Sequence, residues 1–144
     1  MRNRTIFGRP GLAYVYLSYG MHCLLNVVCE GKGVGSAVLI RALHPLEGRP
    51  LMVRRRSREP GLCKGPGRLT QALGVDLTKD GHDLTGGDLR ISRGEPPGEV
   101  VATTRIGITR GTELPWRYLV LGDENVSVLP KTIEGRGLKR SRRL

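Results

Sequence analysis

Aromatic residues are scarce in this chain, which has one Trp, one Phe and four Tyr among 144 residues. The interior must therefore be mainly aliphatic, and any cluster of rings needs a reason. No apolar run approaches the roughly 18 residues that read as a membrane-spanning helix, so no membrane partner is expected. The start MRNRTIFGRP is basic but has no hydrophobic signal core, which points to the cytoplasm. Cysteine is equally thin. Cys23, Cys29 and Cys63 are odd in number and form no C-x-x-C pair, and His22, His44 and His82 are too scattered to complete a zinc set. No metal, cofactor or redox role is assigned, and a zinc deaminase is excluded.

What is abundant is positive charge. Lys and Arg number 24 against 13 Asp and Glu, for a formal net charge of +11 and a pI near 10.4. Such a balance favours a polyanion through counterion release. A ribosomal or other RNA-binding protein, or simply a basic solvated surface, would show the same excess. The length suits one domain with a modest core.

Along the chain, residues 1–13 read as a connecting loop. Tyr14 to Tyr19 alternate at strand period, Gly20 permits a reversal, and Leu24 to Val28 read as the return strand. Ser36 to Leu43 is nearly continuous apolar sequence, expected to be a central buried strand. Residues 46–56 suit a helix exposing Arg54, Arg55, Arg56 and, just beyond, Arg58 as nonspecific polyanion contacts or solvated faces. Pro66 and Gly74 suit the start and stop of a second helix. Further strands are expected at 89–93, 100–108, 116–121 and 126–128. The predicted fold is mixed α/β (α+β), a single compact domain with a curved, largely antiparallel sheet and outer helices. It spans residues 1–130, followed by a basic tail at 131–144 with too little apolar content to pack.

Three of the four tyrosines fall between Tyr14 and Tyr19. Tyr14 and Tyr16 share one strand face, and Tyr19 falls on the other beside the turn. A protruding ring next to a recessed one suits a protein that parts stacked bases and captures one. Read from the residues alone, Tyr16 is equally a half-buried strand residue, Tyr19 a core residue and Asn26 the mark of a strand bulge or end. Arg41, at the end of an apolar run, needs a carboxylate or phosphate if buried.

The blocks YVYLSYGMHCLLNVV, AVLIRALHPLEG, GLCKGPGRLTQALG and RIGI occur in this order from Tyr14 to Ile108. Together they resemble the alkyladenine (3-methyladenine) DNA glycosylases, and the likeness runs from about Arg2 to about Val128. It implies an enzyme that flips alkylated purines from double-stranded DNA and hydrolyses the N-glycosidic bond, beginning base excision repair. It further implies a monofunctional hydrolase without cofactor, expected to be monomeric and nucleoid-associated, with a β-hairpin projecting toward DNA.

On this resemblance Tyr19 intercalates, flanked by Met21 and His22 in the minor groove. Tyr16, Asn26 and Gly107 belong to the base pocket, where Asn26 acts as a gate against the exocyclic amino group of guanine. Arg41 positions the attacking water and the DNA backbone, aided by the backbone of Ile106. Lys64, Gly65 and Arg68 contact DNA. The resemblance also places the general-base glutamate, with an aromatic and a histidine of the pocket, upstream of this sequence. Glu30, Glu47, Glu59 and Glu113 do not match the base motif. The expectation is thus an N-terminally truncated member with a misplaced start and impaired activity. Its alternatives are a noncatalytic DNA-binding remnant and a basic RNA-binding protein.

Overall fold

The computed structural model describes residues 3–127. The expected tail at 131–144, and Val128, lie outside them. The chain divides after Arg93 into two compact units, each described by itself.

The first unit is built on a three-stranded antiparallel sheet of β1 (Ala13–Ser18), β2 (His22–Val28) and β3 (Ala37–Leu39), in the order β1-β2-β3. Cross-strand pairs run from Ala13↔Val27 through Tyr14↔Asn26 and Tyr16↔Leu24 to Ser18↔His22. Directly paired residues share a face. One face therefore carries Ala13, Val15 and Leu25, which pack with Val75 and Leu84. The other carries Tyr14, Tyr16, Leu24 and Asn26.

The apolar run from Ser36 does not form the expected central strand. Only three of its residues pair, β3 lies at the sheet edge, and Val38 is 54% exposed. The central strand is β2, which pairs on both sides. The run is apolar because it leaves the sheet to serve the core: Ile40 packs against both buried clusters. Ala42 then bridges to Lys64.

Two helices follow, α1 (Arg49–Arg56) and α2 (Pro66–Leu73). Leu69 and Ala72 of α2 are buried with Leu62 and Cys63, and Met52 and Val53 of α1 pack on them. Gly74, at φ 72°, closes α2 in a Schellman arrangement: its N–H donates to Gln71 O (3.2 Å) and that of Val75 to Thr70 O (2.8 Å). Arg55 and Arg56 are not merely solvated, as the sequence suggested. Arg55 Nη1 donates to Ala72 O at 3.1 Å, at the carbonyl end of α2 where cations are favoured. Arg56 Nη1 donates to Gly61 O (2.8 Å) and Leu62 O (3.1 Å). A short 3₁₀ turn at Leu77–Lys79 precedes an Asx turn, in which Asp83 accepts from the amide and hydroxyl of Thr85. The expected strand at 89–93 is absent there, and the chain is irregular.

In the second unit β4 (Val100–Thr103) and β5 (Arg117–Val120) pair antiparallel from Val100↔Val120 to Thr103↔Arg117. Both are shorter than the runs expected to form them, and Val126 and Ser127 are not strand. The mixed α/β class and antiparallel pairing agree with the sequence, but the strands divide between two sheets instead of forming one. Among the described residues no helix is long and apolar enough to cross a membrane.

Candidate nucleic-acid interface

The turn between β1 and β2 is made by Tyr19, Gly20 and Met21. The Met21 N–H donates to Ser18 O at 3.1 Å, with Tyr19 at φ 49° and Gly20 at φ 70°. Two successive left-handed residues match the right-handed twist of a hairpin, but the first position normally goes to Asn, Asp or Gly. A tyrosine held there costs about 1–3 kcal/mol, and such strain persists only where the surrounding structure dictates it. The conformation sends the ring outward: Tyr19 is 95% exposed and Met21 71%. The reading of Tyr19 as a core residue is therefore excluded.

Behind the tip, Tyr16 is half-buried and stacks on Tyr14, with ring centroids 5.3 Å apart and planes at 27°. Tyr14 is buried, and its hydroxyl donates to Asn3 Oδ1 at 3.2 Å. Sequence reasoning placed Tyr14 on the right face but gave it no task, and the i, i+2 spacing was the available signal. Asn26, 6% exposed, sits directly opposite Tyr14. Its Nδ2 donates to Tyr14 O (3.1 Å) and Leu24 O (3.4 Å). The amino end is thus committed to the strand backbone, leaving Oδ1 as the free end of the amide.

Arg41 is exposed and has no ion pair or hydrogen bond among the described residues, so it is not a buried structural pair. It follows Ile40, whose N–H donates to Leu25 O at 3.0 Å, and so stands just beyond the sheet edge.

Helix α2 is locked against the hairpin. The Thr70 hydroxyl donates to Cys23 O, 2.7 Å away, and a Cβ added at Gly67 would lie 3.2 Å from His22 Cβ. The first turn of α2 is therefore in contact with the first residue of β2. No side chain caps this turn, and Gly65 takes φ 126° before it. Lys64 and Gly65 are partly exposed and Arg68 is exposed. The structure thus brings Gly67 beside His22, which follows the Tyr19–Met21 tip; Lys64 and Gly65 immediately precede this helix and Arg68 lies in its first turn, with Lys64 and Arg68 beside Gly61. Thr70 and Gly67, which set this relation, were missed. A hydroxyl one helical turn after Pro66 was the only sign.

Ile106 and Gly107 belong to the second unit, where both are exposed and Gly107 takes φ 71°. Beside them Arg105 lies 5.4 Å from the Trp116 ring centroid, and its Nη2 donates to Arg110 O at 3.1 Å.

A family model described as methylpurine-DNA glycosylase (MPG) matches residues 1–124. A protein of Rubrobacter xylanophilus is 71% identical over 143 residues, which cover 98% of this chain and 75% of that protein. One from Rhodopseudomonas palustris strain BisB18 is 52% identical over 128 residues (88% and 64%), and one from Carboxydothermus hydrogenoformans is 49% identical over 131 (88% and 69%). Each bears the name "Putative 3-methyladenine DNA glycosylase". The chain therefore spans between about two thirds and three quarters of the length of these relatives.

Proposed function

Because this chain belongs to the methylpurine-DNA glycosylase family, we propose that it binds duplex DNA, extrudes alkylated purines and holds them for hydrolytic release. The observation that carries this reading is the strained, outward Tyr19 at the tip of a hairpin whose other face, opposite the Ala13–Val15–Leu25 core face, bears Tyr16 and Asn26. Unstacking a base costs a few kcal/mol, least for a damaged one, and a ring filling the gap offsets part of that cost. A purine alkylated at N3 or N7 is cationic, and an aromatic face attracts a cation by about 0.5–2 kcal/mol. Tyr16, braced by Tyr14, supplies such a face. The same positive charge makes the base a good leaving group, so the residues here have mainly to bind, orient and exclude.

Asn26, whose Nδ2 is tied to the strand backbone, stands at the pocket as a gate against the exocyclic amino group of guanine. Arg41 orients the DNA backbone and the attacking water, with Ile106 and Gly107 contributing backbone groups. Lys64, Gly65 and Arg68, with His22 and Met21, seat the strand beside the wedge. No general base is assigned among this chain's carboxylates. The test is base release from a duplex carrying 3-methyladenine or 1,N6-ethenoadenine, by this chain and by a form extended upstream. Release by either supports the glycosylase reading, and a large loss on Tyr19→Ala is expected. Tight lesion binding without release by both would mark a noncatalytic DNA binder. Indifference to the lesion and to Tyr19→Ala would overturn the proposal.

A further inference from the structure

Tyr14 belongs to the tyrosine cluster of the hairpin, yet the proposed reaction gives it no contact with the base. It is 7% exposed, so its ring lies below the surface that a duplex could reach. Its hydroxyl is engaged with Asn3 Oδ1 at 3.2 Å. Its ring stacks on Tyr16, with centroids 5.3 Å apart and planes at 27°. Its carbonyl accepts from Asn26 Nδ2 at 3.1 Å. One buried residue thus holds both the ring and the amide of the proposed base pocket.

The stack limits Tyr16 in two ways. Tyr14 covers one side of the Tyr16 ring, so a purine can lie only against the other. It also confines the ring: Tyr16 is half-buried, and without a neighbour on its face it would keep rotamer freedom that binding must remove. A cation is attracted only when it lies over the face of an aromatic ring. A ring turned edge-on presents the positive rim of its quadrupole instead. The attitude of Tyr16 therefore matters more for a charged purine than for a neutral one, which gains mainly from contact area.

We infer that Tyr14 is a specificity-determining residue that never touches DNA: by fixing the open face of Tyr16 it sets the preference for cationic over neutral purines. The inference rests on the proposed function, in which Tyr16 stacks on the extruded base. It adds that charge selection belongs to the Tyr14–Tyr16 pair and not to Tyr16 alone. Tyr14 is a positioning residue there, and its ring, not its hydroxyl, makes the selection.

The experiment compares affinity for two duplexes that differ in the charge of one purine. One carries 7-methyladenine with a 2′-fluorine on its sugar, which keeps the cationic base from being released. The other carries neutral 7-deaza-7-methyladenine on the same sugar. The ratio of the two affinities is measured for the parent chain, Tyr14→Phe, Tyr14→Leu, Tyr16→Leu and the double variant Tyr14→Leu with Tyr16→Leu. Tyr14→Leu should lower the ratio by about 3- to 10-fold, the range expected for freeing one side chain, with affinity for an undamaged duplex unchanged. Tyr14→Phe keeps the ring and loses the Asn3 bond, and it should keep the parent ratio. In the Tyr16→Leu background Tyr14→Leu should change nothing further, because residues acting as a unit are not additive. A merely structural role would lower all affinities together and leave the ratio as it was. An unchanged ratio in Tyr14→Leu, a loss in Tyr14→Phe as large as that in Tyr14→Leu, or additive losses in the double variant overturns the inference. Circular dichroism checks that each variant folds; should Tyr14→Leu not fold, Tyr14→Met also lacks the ring and is read in the same way. If the parent binds cationic, neutral and undamaged duplexes alike, the glycosylase reading fails and the inference with it. If the parent discriminates and Tyr14→Leu does so equally, the inference alone fails.

Discussion

The hairpin of β1 and β2 reverses in three residues, whereas β4 and β5 are joined by the thirteen between Thr103 and Arg117. In the first, one face is packed into the core by Ala13, Val15 and Leu25, and Thr70 ties β2 to α2. That support holds a tyrosine in a left-handed turn with its ring in solvent. In the second, the long connection folds on itself, with Arg105 satisfying local carbonyls and lying beside Trp116. Its strands bury little besides Leu119 and Arg117. A tight turn can display a bulky side chain at fixed height only if packing below it exceeds the cost of the strain. The first hairpin meets that condition.

The sharpest way to break this contrast is to weaken the support. Leu69, with no exposed surface, should lose about 2–5 kcal/mol on Leu69→Ala, measured by urea denaturation, and lesion binding should fail with it. Leu119→Ala, at a site 7% exposed in a thinner layer, should cost about 2 kcal/mol or less. Equal losses would mean that the two hairpins are supported alike. Removing the tie alone, in Thr70→Val, should cost about 1 kcal/mol. It should also weaken binding to an abasic duplex more than to an undamaged one, and an equal loss on both would separate helix from wedge.

Relieving the strain should act in the opposite direction. Tyr19→Gly is expected to raise stability by about 1 kcal/mol, because glycine takes positive φ freely, while lesion preference disappears. A stability loss would show that the Tyr19 ring packs in solution. The smallest effect concerns acid. The hydroxyl and then the amide of Thr85, with Arg9, hold the Asp83 carboxyl well below the usual carboxylate range. A depressed carboxylate stabilises fully above its unfolded pKa, near 4, and the contribution is lost as pH falls further. Asp83→Asn should thus lower Tm slightly at pH 7, and the gap should be smaller at pH 3 and smaller still at pH 2. A gap that persists undiminished at low pH would refute the ionic origin.

The hairpin and both helices were legible because their signals are local: alternation, Gly20, and the Pro66 and Gly74 boundaries. The failures share one cause. Ser36–Leu43 is apolar for a core that extends past the sheet, and period alone cannot tell a paired strand from a chain crossing between clusters. Arg55 and Arg56 looked like surface charge because the carbonyls that hold them come from elements beyond their own helix. For Asn26, nothing in the sequence signals the two backbone carbonyls that hold its amide. Which end of an amide meets a ligand depends on the backbone opposite it, here Tyr14 and Leu24.

Gly67 and His22 occupy what is in effect a single shared volume. Bulk introduced on the helix must be surrendered by the imidazole, so neither position can drift independently. A methyl group at 67 should push His22 aside and, through it, re-aim the reversal that follows Ser18. Gly67→Ala would then harm the displayed ring from a distance, and shrinking His22 to alanine in the same chain should restore its stance.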